Sequence, residues 1–205
     1  MAQPLVLAIS GASGAVYAVR LLEMLVQTGR DVHLTISPSG RDVLMQELHV
    51  RVDLEKFEVA KLVDLTEKTG RILYHHYQDF HSPIASGSYL TGGMVICPCS
   101  GGTLGTIACG TATNLLHRAA EVHLKERRKL ILVPRETPLS LIQIDNMKRV
   151  VEAGAILLPA APGWYHGVNT VMDLVDFVVA RILDQLGVEH GLSKRWSKDS
   201  IAASH

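Results

Sequence analysis

The stretch Leu5-Val-Leu-Ala-Ile-Ser-Gly-Ala-Ser-Gly14 runs from five apolar residues straight into a turn with two glycines. Ala15 to Thr28 follows at helical spacing, with Arg20, Glu23 and Gln27 as its polar stripe and Gly29 as its stop. An apolar run without polar alternation is the pattern of a strand buried on both faces. Such runs recur at Val32 to Ile36, Met94 to Cys97, Leu130 to Val133 and Ala155 to Leu158, with helical patterns between them. This β-α-β alternation predicts an α/β fold: a single doubly wound, flavodoxin-like or Rossmann-like domain with a mostly parallel sheet. The more polar stretch Arg51 to Phe80 reads as helix, loop and a short strand near Ile72 to Tyr74. The domain is expected over residues 1–196, with 197–205 as a frayed tail.

Bulk properties narrow the function classes. The chain has 205 residues, is 47% hydrophobic and only 20% charged, which suits one domain with ample core. Twenty basic residues balance twenty acidic ones, so no global field draws nucleic acid or an anionic membrane. The run Pro4 to Ile9 is too short to span a bilayer and lacks the flanks of a signal peptide, which predicts a cytoplasmic protein. Cys97 and Cys99 have strand spacing, which puts both on one face; with Cys109 they read as buried reduced thiols. His75, His76 and His81 have no Asp or Cys at ligand spacing, so no metal is expected.

The ends of parallel strands are where α/β proteins place chemistry. Gly11-Ala-Ser-Gly14 and Ser100-Gly-Gly-Thr103 each link a strand to a helix, so their amides and hydroxyls suit an anion. Two such loops, on strands that can lie side by side, favour a phosphate or flavin. A third strand ends in Pro134-Arg-Glu-Thr-Pro138, which offers the charge pair Arg135 and Glu136. Arg118 and Lys125, seven residues apart on a helix from about Asn114, share one stripe, with Glu121 spaced to pair with Lys125. In a helix from Val171 to Leu186, Arg181 falls among Leu174, Phe177 and Val178, which predicts a buried guanidinium needing an anion. Glu47, by its surroundings alone, reads as a surface carboxylate. Tyr165 and His166 follow Pro162-Gly163-Trp164 in a loop that suits either packing or a ligand.

Taken together, Thr35-Ile-Ser37, Ala85-Ser-Gly-Ser88, Cys97-Pro-Cys-Ser100, Leu124-Lys-Glu-Arg-Arg128, Val133-Pro-Arg-Glu-Thr-Pro138 and Pro159-Ala-Ala-Pro-Gly-Trp-Tyr-His166 resemble the flavin prenyltransferases of the UbiX type. The resemblance spans Leu5 to Trp196. It implies transfer of a dimethylallyl group from dimethylallyl phosphate to reduced FMN, at N5 and then C6, giving the prenylated FMN used by a UbiD-type decarboxylase. It also implies a homododecamer. By the same resemblance Gly11, Ala12, Ser13, Ser37, Ser100, Gly101, Gly102, Thr103 and Arg135 hold FMN, with Ser13 near N5. Arg118, Lys125, Glu136, Tyr165 and Arg181 surround the prenyl phosphate, and Trp196 covers the site. Ser13, Glu47 and Glu136 are the expected catalytic groups, Glu47 for proton movement during ring closure and Glu136 as an acid beside phosphate.

Two other readings stand beside this one. A flavin-dependent cysteine decarboxylase of the same superfamily is expected to carry Pro-x-Met-Asn where this chain has Pro134-Arg-Glu-Thr-Pro138. A non-catalytic flavin carrier would have no use for the basic residues.

Overall fold

A computed structural model describes residues 2–64, 70–164 and 167–192. Six strands form one sheet: β1 (Leu5–Ile9), β2 (Val32–Ile36), β3 (Ile72–Tyr74), β4 (Met94–Cys99), β5 (Leu130–Pro134) and β6 (Ile156–Leu157). Their order is β3-β2-β1-β4-β5-β6, and every pairing is parallel. The expected doubly wound layout is therefore present. The polar stretch before β3 contains, among its described residues, a short 3-10 turn at Val59–Lys61 where a longer helix was expected.

Alternation along each strand divides the core into two layers. Leu5, Leu7 and Ile9 of β1 point into one layer, where they meet α1 (Ala15–Gln27), Leu44 of α2 (Pro38–Leu48), and α6 (Val171–Leu186). Val6 and Ala8 point into the other, against α3 (Gly101–Cys109), α4 (Leu115–Lys125) and α5 (Leu141–Glu152). Both faces of the sheet are covered, which is why the strands read as continuous apolar runs. No described helix is long and apolar enough to cross a membrane.

The cysteines correct one expectation. Cys97 packs in the α1/α6 layer and Cys99 in the α3/α4/α5 layer, although their spacing predicts a common face. The β4–β5 register shifts between Ile96 and Cys99, and a shift of register exchanges the two faces of a strand. Both thiols are buried, and burial pushes that of Cys99 up to about 12; Cys109 is exposed, contrary to expectation.

Helix α1 and helix α6 lie side by side on the same layer. Their contact carries a charge clamp: Arg20 Nε donates to Asp176 at 2.7 Å and its Nη2 to the other carboxylate oxygen at 3.2 Å. Arg20 thus belongs to an interhelical pair as well as to the polar stripe. Asp173 closes a capping box with Thr170 at the start of α6.

Candidate active site

The strand order reverses between β1 and β4, the position at which an open α/β sheet leaves a crevice beyond its carboxyl ends. The loops after these two strands are tied together by Ser10, a buried residue that no motif singles out. Its Oγ donates to the Pro98 carbonyl at 2.9 Å and accepts from the Ser100 amide at 2.9 Å. Gly14 caps α1 at φ 111°, a left-handed value that favours glycine. A Cβ on Gly11 would stand 2.3 Å from the Ser39 Cβ, so this loop and the start of α2 approach as only glycine permits.

Glu47 is the largest departure from a local reading of the sequence. From the far end of α2 its carboxylate reaches the start of α1, accepting from the Gly14 amide at 2.9 Å and the Ala15 amide at 2.8 Å. It also bonds the Ser13 side chain and feels the charge of Arg135. Partial burial works to raise its pKa, but the bonds from Ser13 and the two amides outweigh it and hold the carboxyl below its ordinary value. Arg135 Nε in turn donates to the Ser13 carbonyl at 3.4 Å. The turn after β1, the end of α2 and the end of β5 therefore meet at Ser13.

The residues assigned to FMN are gathered at this edge. Ser37 and Ser100 are the N-caps of α2 and α3, with Oγ accepting from the amides of Gly40 and Thr103. First-turn amides such as those of Gly101 and Gly102 have no acceptor within their own helix, and they carry the positive end of its dipole. Nothing lies within 4 Å of a Cβ built on Gly102, so the loop faces open space. Ala12 and Thr103 are buried in support. The set fits a flat ring with a phosphate tail: helix starts for the anion, small residues for the ring, and Arg135 at its rim. Glu136 accepts from Gln143 Nε2 at 3.4 Å. Gln143 also completes the capping box of α5, and the Ser140-x-x-Gln143 spacing could have revealed that second role.

The cations assigned to phosphate are divided between the two faces of the sheet. Arg118 lies on α4, over one face of the sheet, where its Nε donates to the Ala85 carbonyl and its guanidinium pairs with Glu121 at 3.5 Å. Glu121 was expected to pair with Lys125, which instead contacts Glu126. Arg181 lies on α6, over the other face, and is not buried: its side chain is 55% exposed and pairs with Asp184 at 3.0 Å. Position 181 falls outside the stripe made by Val175, Val178, Ile182 and Leu186. It borders a cavity of about 280 Å³ lined by Leu157, Leu158, Pro159 and Phe177. Trp164 is exposed, while Tyr165, His166 and Trp196 lie outside the described residues. Among the described residues no group of three or more His, Cys, Asp or Glu side chains could hold a metal ion. His75 stacks on His33 and is joined to it at 2.7 Å.

Known proteins share this fold and much of this sequence. The Flavoprotein family model matches residues 1–183. The flavin prenyltransferase UbiX of Pseudomonas aeruginosa is 47% identical over 201 residues, covering 96% of this chain and 95% of its own. A structure of AnUbiX in complex with FMN and dimethylallyl pyrophosphate is 34% identical, with a TM-score of 0.84 over 96% of this chain and 98% of that one. A dodecameric FMN-dependent UbiX-like decarboxylase from Escherichia coli O157:H7 is 38% identical, with a TM-score of 0.83 over 95% and 99% of the two chains. With the family model over residues 1–183 and 46–47% identity across nearly the whole chain in agreement, the chain belongs to the flavoproteins and, among them, to the flavin prenyltransferases of the UbiX type.

Proposed function

We propose that this protein moves a dimethylallyl group from dimethylallyl phosphate to reduced FMN, first to N5 and then to C6. The observation that carries the proposal is the meeting of Glu47, Ser13 and Arg135 at the β1–β4 crevice. A flavin carrier needs a cradle but no ionised carboxylate held against its ring-facing serine. A cysteine decarboxylase is disfavoured by Pro134-Arg-Glu-Thr-Pro138.

Reduced FMN supplies the nucleophilic ring positions. The protein's task at the other partner is to let the carbon–oxygen bond break with its electron pair leaving on phosphate. Arg118, Lys125 and Arg181 neutralise that charge, and Glu136 and Tyr165 complete the phosphate contacts. Trp164 and Trp196 keep water from the allylic carbon. Because α4 and α6 cover opposite faces, one phosphate receives all three cations only when a neighbouring copy supplies α4 or α6. We therefore propose a homo-oligomeric site, in keeping with the dodecameric relative. Ring closure breaks the prenyl double bond: that bond takes up a proton delivered from the phosphate side of the site, and C6 bonds the tertiary carbon so formed. The C6 proton is released through Ser13 to Glu47, a carboxylate whose lowered pKa keeps it ionised. The prenylated product then serves a UbiD-type decarboxylase.

The test is direct. Purified protein mixed with reduced FMN and dimethylallyl phosphate under anaerobic conditions is expected to change the flavin spectrum and add the prenyl mass to FMN. Bound FMN with no mass change, for both the monophosphate and the pyrophosphate, would defeat the proposal and leave the carrier and the cysteine decarboxylase.

A further inference from the structure

Helix α6 ends with a carboxylate where a helix favours a cation. Its last turn carries Asp184 and no basic residue, so this charge sits at the negative end of the helix dipole. Arginine before aspartate is also the less favourable order for a pair along a helix. Helix stability therefore does not account for Asp184, but its neighbours do. Oδ2 accepts from Arg181 Nη1 at 3.0 Å, and Oδ1 lies 3.2 Å from His190 Nε2. His190 comes after the Gly187 cap of the helix, and its side chain is only 5% exposed. The Leu192 amide donates to His190 Nδ1 at 3.3 Å, which puts the ring proton on Nε2, where it is donated to the carboxylate.

We propose that Asp184 and His190 are positioning residues for Arg181: the carboxylate fixes the guanidinium through Nη1, and the buried imidazole fixes the carboxylate. Among the described residues Nε and Nη2 of Arg181 have no hydrogen-bond partner. The pair thus leaves free the edge of the guanidinium that grips two oxygens of a phosphate. An arginine more than half exposed on a helix otherwise samples many rotamers, and that freedom is lost on binding. A fork already held in one orientation has less of it to lose. A carboxylate beside the cation also reduces the charge offered to phosphate, so a site built for attraction alone would omit Asp184. Orientation is what the chain His190–Asp184–Arg181 supplies. The inference rests on the phosphate role proposed for Arg181 above.

The experiment titrates dimethylallyl phosphate calorimetrically into the FMN-loaded full chain and follows turnover of reduced FMN by mass. Asp184→Asn sets an amide N–H against either Arg181 or His190, so one bond of the chain opens. Binding is expected to weaken about tenfold and kcat/KM to fall at least as far, with FMN affinity unchanged. His190→Phe keeps a ring but loses the donor, and is expected to weaken binding about threefold. His190→Gln keeps an N–H donor at similar reach and is expected to restore binding to within about twofold of the unsubstituted chain. Unchanged binding in Asp184→Asn, or equal losses in both His190 variants, overturns the proposal. Should His190→Phe fail to fold, Asp184→Asn decides alone. An unsubstituted chain that binds the phosphate but adds no prenyl mass faults the functional reading, while the binding contrast still decides the role of Asp184. Absence of phosphate binding by the unsubstituted chain overturns both.

Discussion

At the scale of single residues, Glu47 carries two loads that can be separated. Its carboxylate caps α1 through Gly14 and Ala15, and it bonds Ser13. Glu47→Gln keeps an acceptor oxygen for the amides but removes the proposed base. Its stability is expected to fall by no more than about 1 kcal/mol, the usual size of a cap. Mass spectrometry of its flavin is expected to show the prenyl group attached without ring closure; complete conversion would show that the proton leaves by another route. Arg181→Ala tests a different step. An exposed arginine paired with Asp184 contributes little to stability, so the melting midpoint is expected to move by the equivalent of about 0.5 kcal/mol or less. Turnover is expected to drop roughly a hundredfold, about 2.7 kcal/mol in the barrier, with FMN still bound. Loss of FMN with normal turnover per flavin would make the residue structural.

At the scale of elements, the glycine turn at the site depends on where α1 sits, and α1 is held partly by α6. The Arg20–Asp176 clamp joins the two helices with both side chains about a quarter exposed. Asp176→Asn loses the charge and keeps the shape. Thermal denaturation is expected to show a loss of about 1 kcal/mol, or roughly 2–4 °C for a domain of this size. A loss under half a degree would mean that apolar packing alone positions the pair. The end of β4 is an element whose course spacing did not reveal. Simple alternation puts Cys97 and Cys99 together, but the register shift sends them to separate layers.

For the whole molecule, two buried histidines set an acid limit. Burial, aided by the charge of His75, lowers His33 to about 4, and burial, opposed by the Ala119 carbonyl and aided by Arg128, lowers His123 to about 4. The unfolded chain takes up these protons near pH 6.5, whereas the folded chain refuses them until about pH 4. Their contribution is therefore fully present above pH 6.5 and is lost as pH falls toward 4. The melting midpoint is expected to drop across that window, and less steeply in His123→Gln; an equal slope would place the acid sensitivity elsewhere. Lower still, Glu47 adds to the loss as pH falls below its ordinary value through its depressed one. Turnover in excess chelator is expected to match turnover without it, since Arg118, Lys125 and Arg181, in the role proposed for them, offer the charge that a metal would otherwise supply. Activity lost to the chelator and restored by magnesium would refute this.

Local pattern determined the layout: five apolar runs, their buried character on both faces, the glycine turns after β1 and β4, and the helices between. These depend on spacing within a dozen residues, which a sequence displays directly. The family motifs added the chemistry, naming Glu47 and Arg181 where periodicity read one as surface and the other as buried. Tertiary structure decided the rest. Ser10 gained its role only when β1 lay beside β4, and Glu47 entered the site only when α2 packed so that its last turn met the first turn of α1. The rotation of α6 against the sheet put Arg181 at the surface, and α4 carried Arg118 and Lys125 to the opposite face. Such neighbours are set by strand order, register and helix rotation, which arise from packing the whole core and leave no trace in any short window.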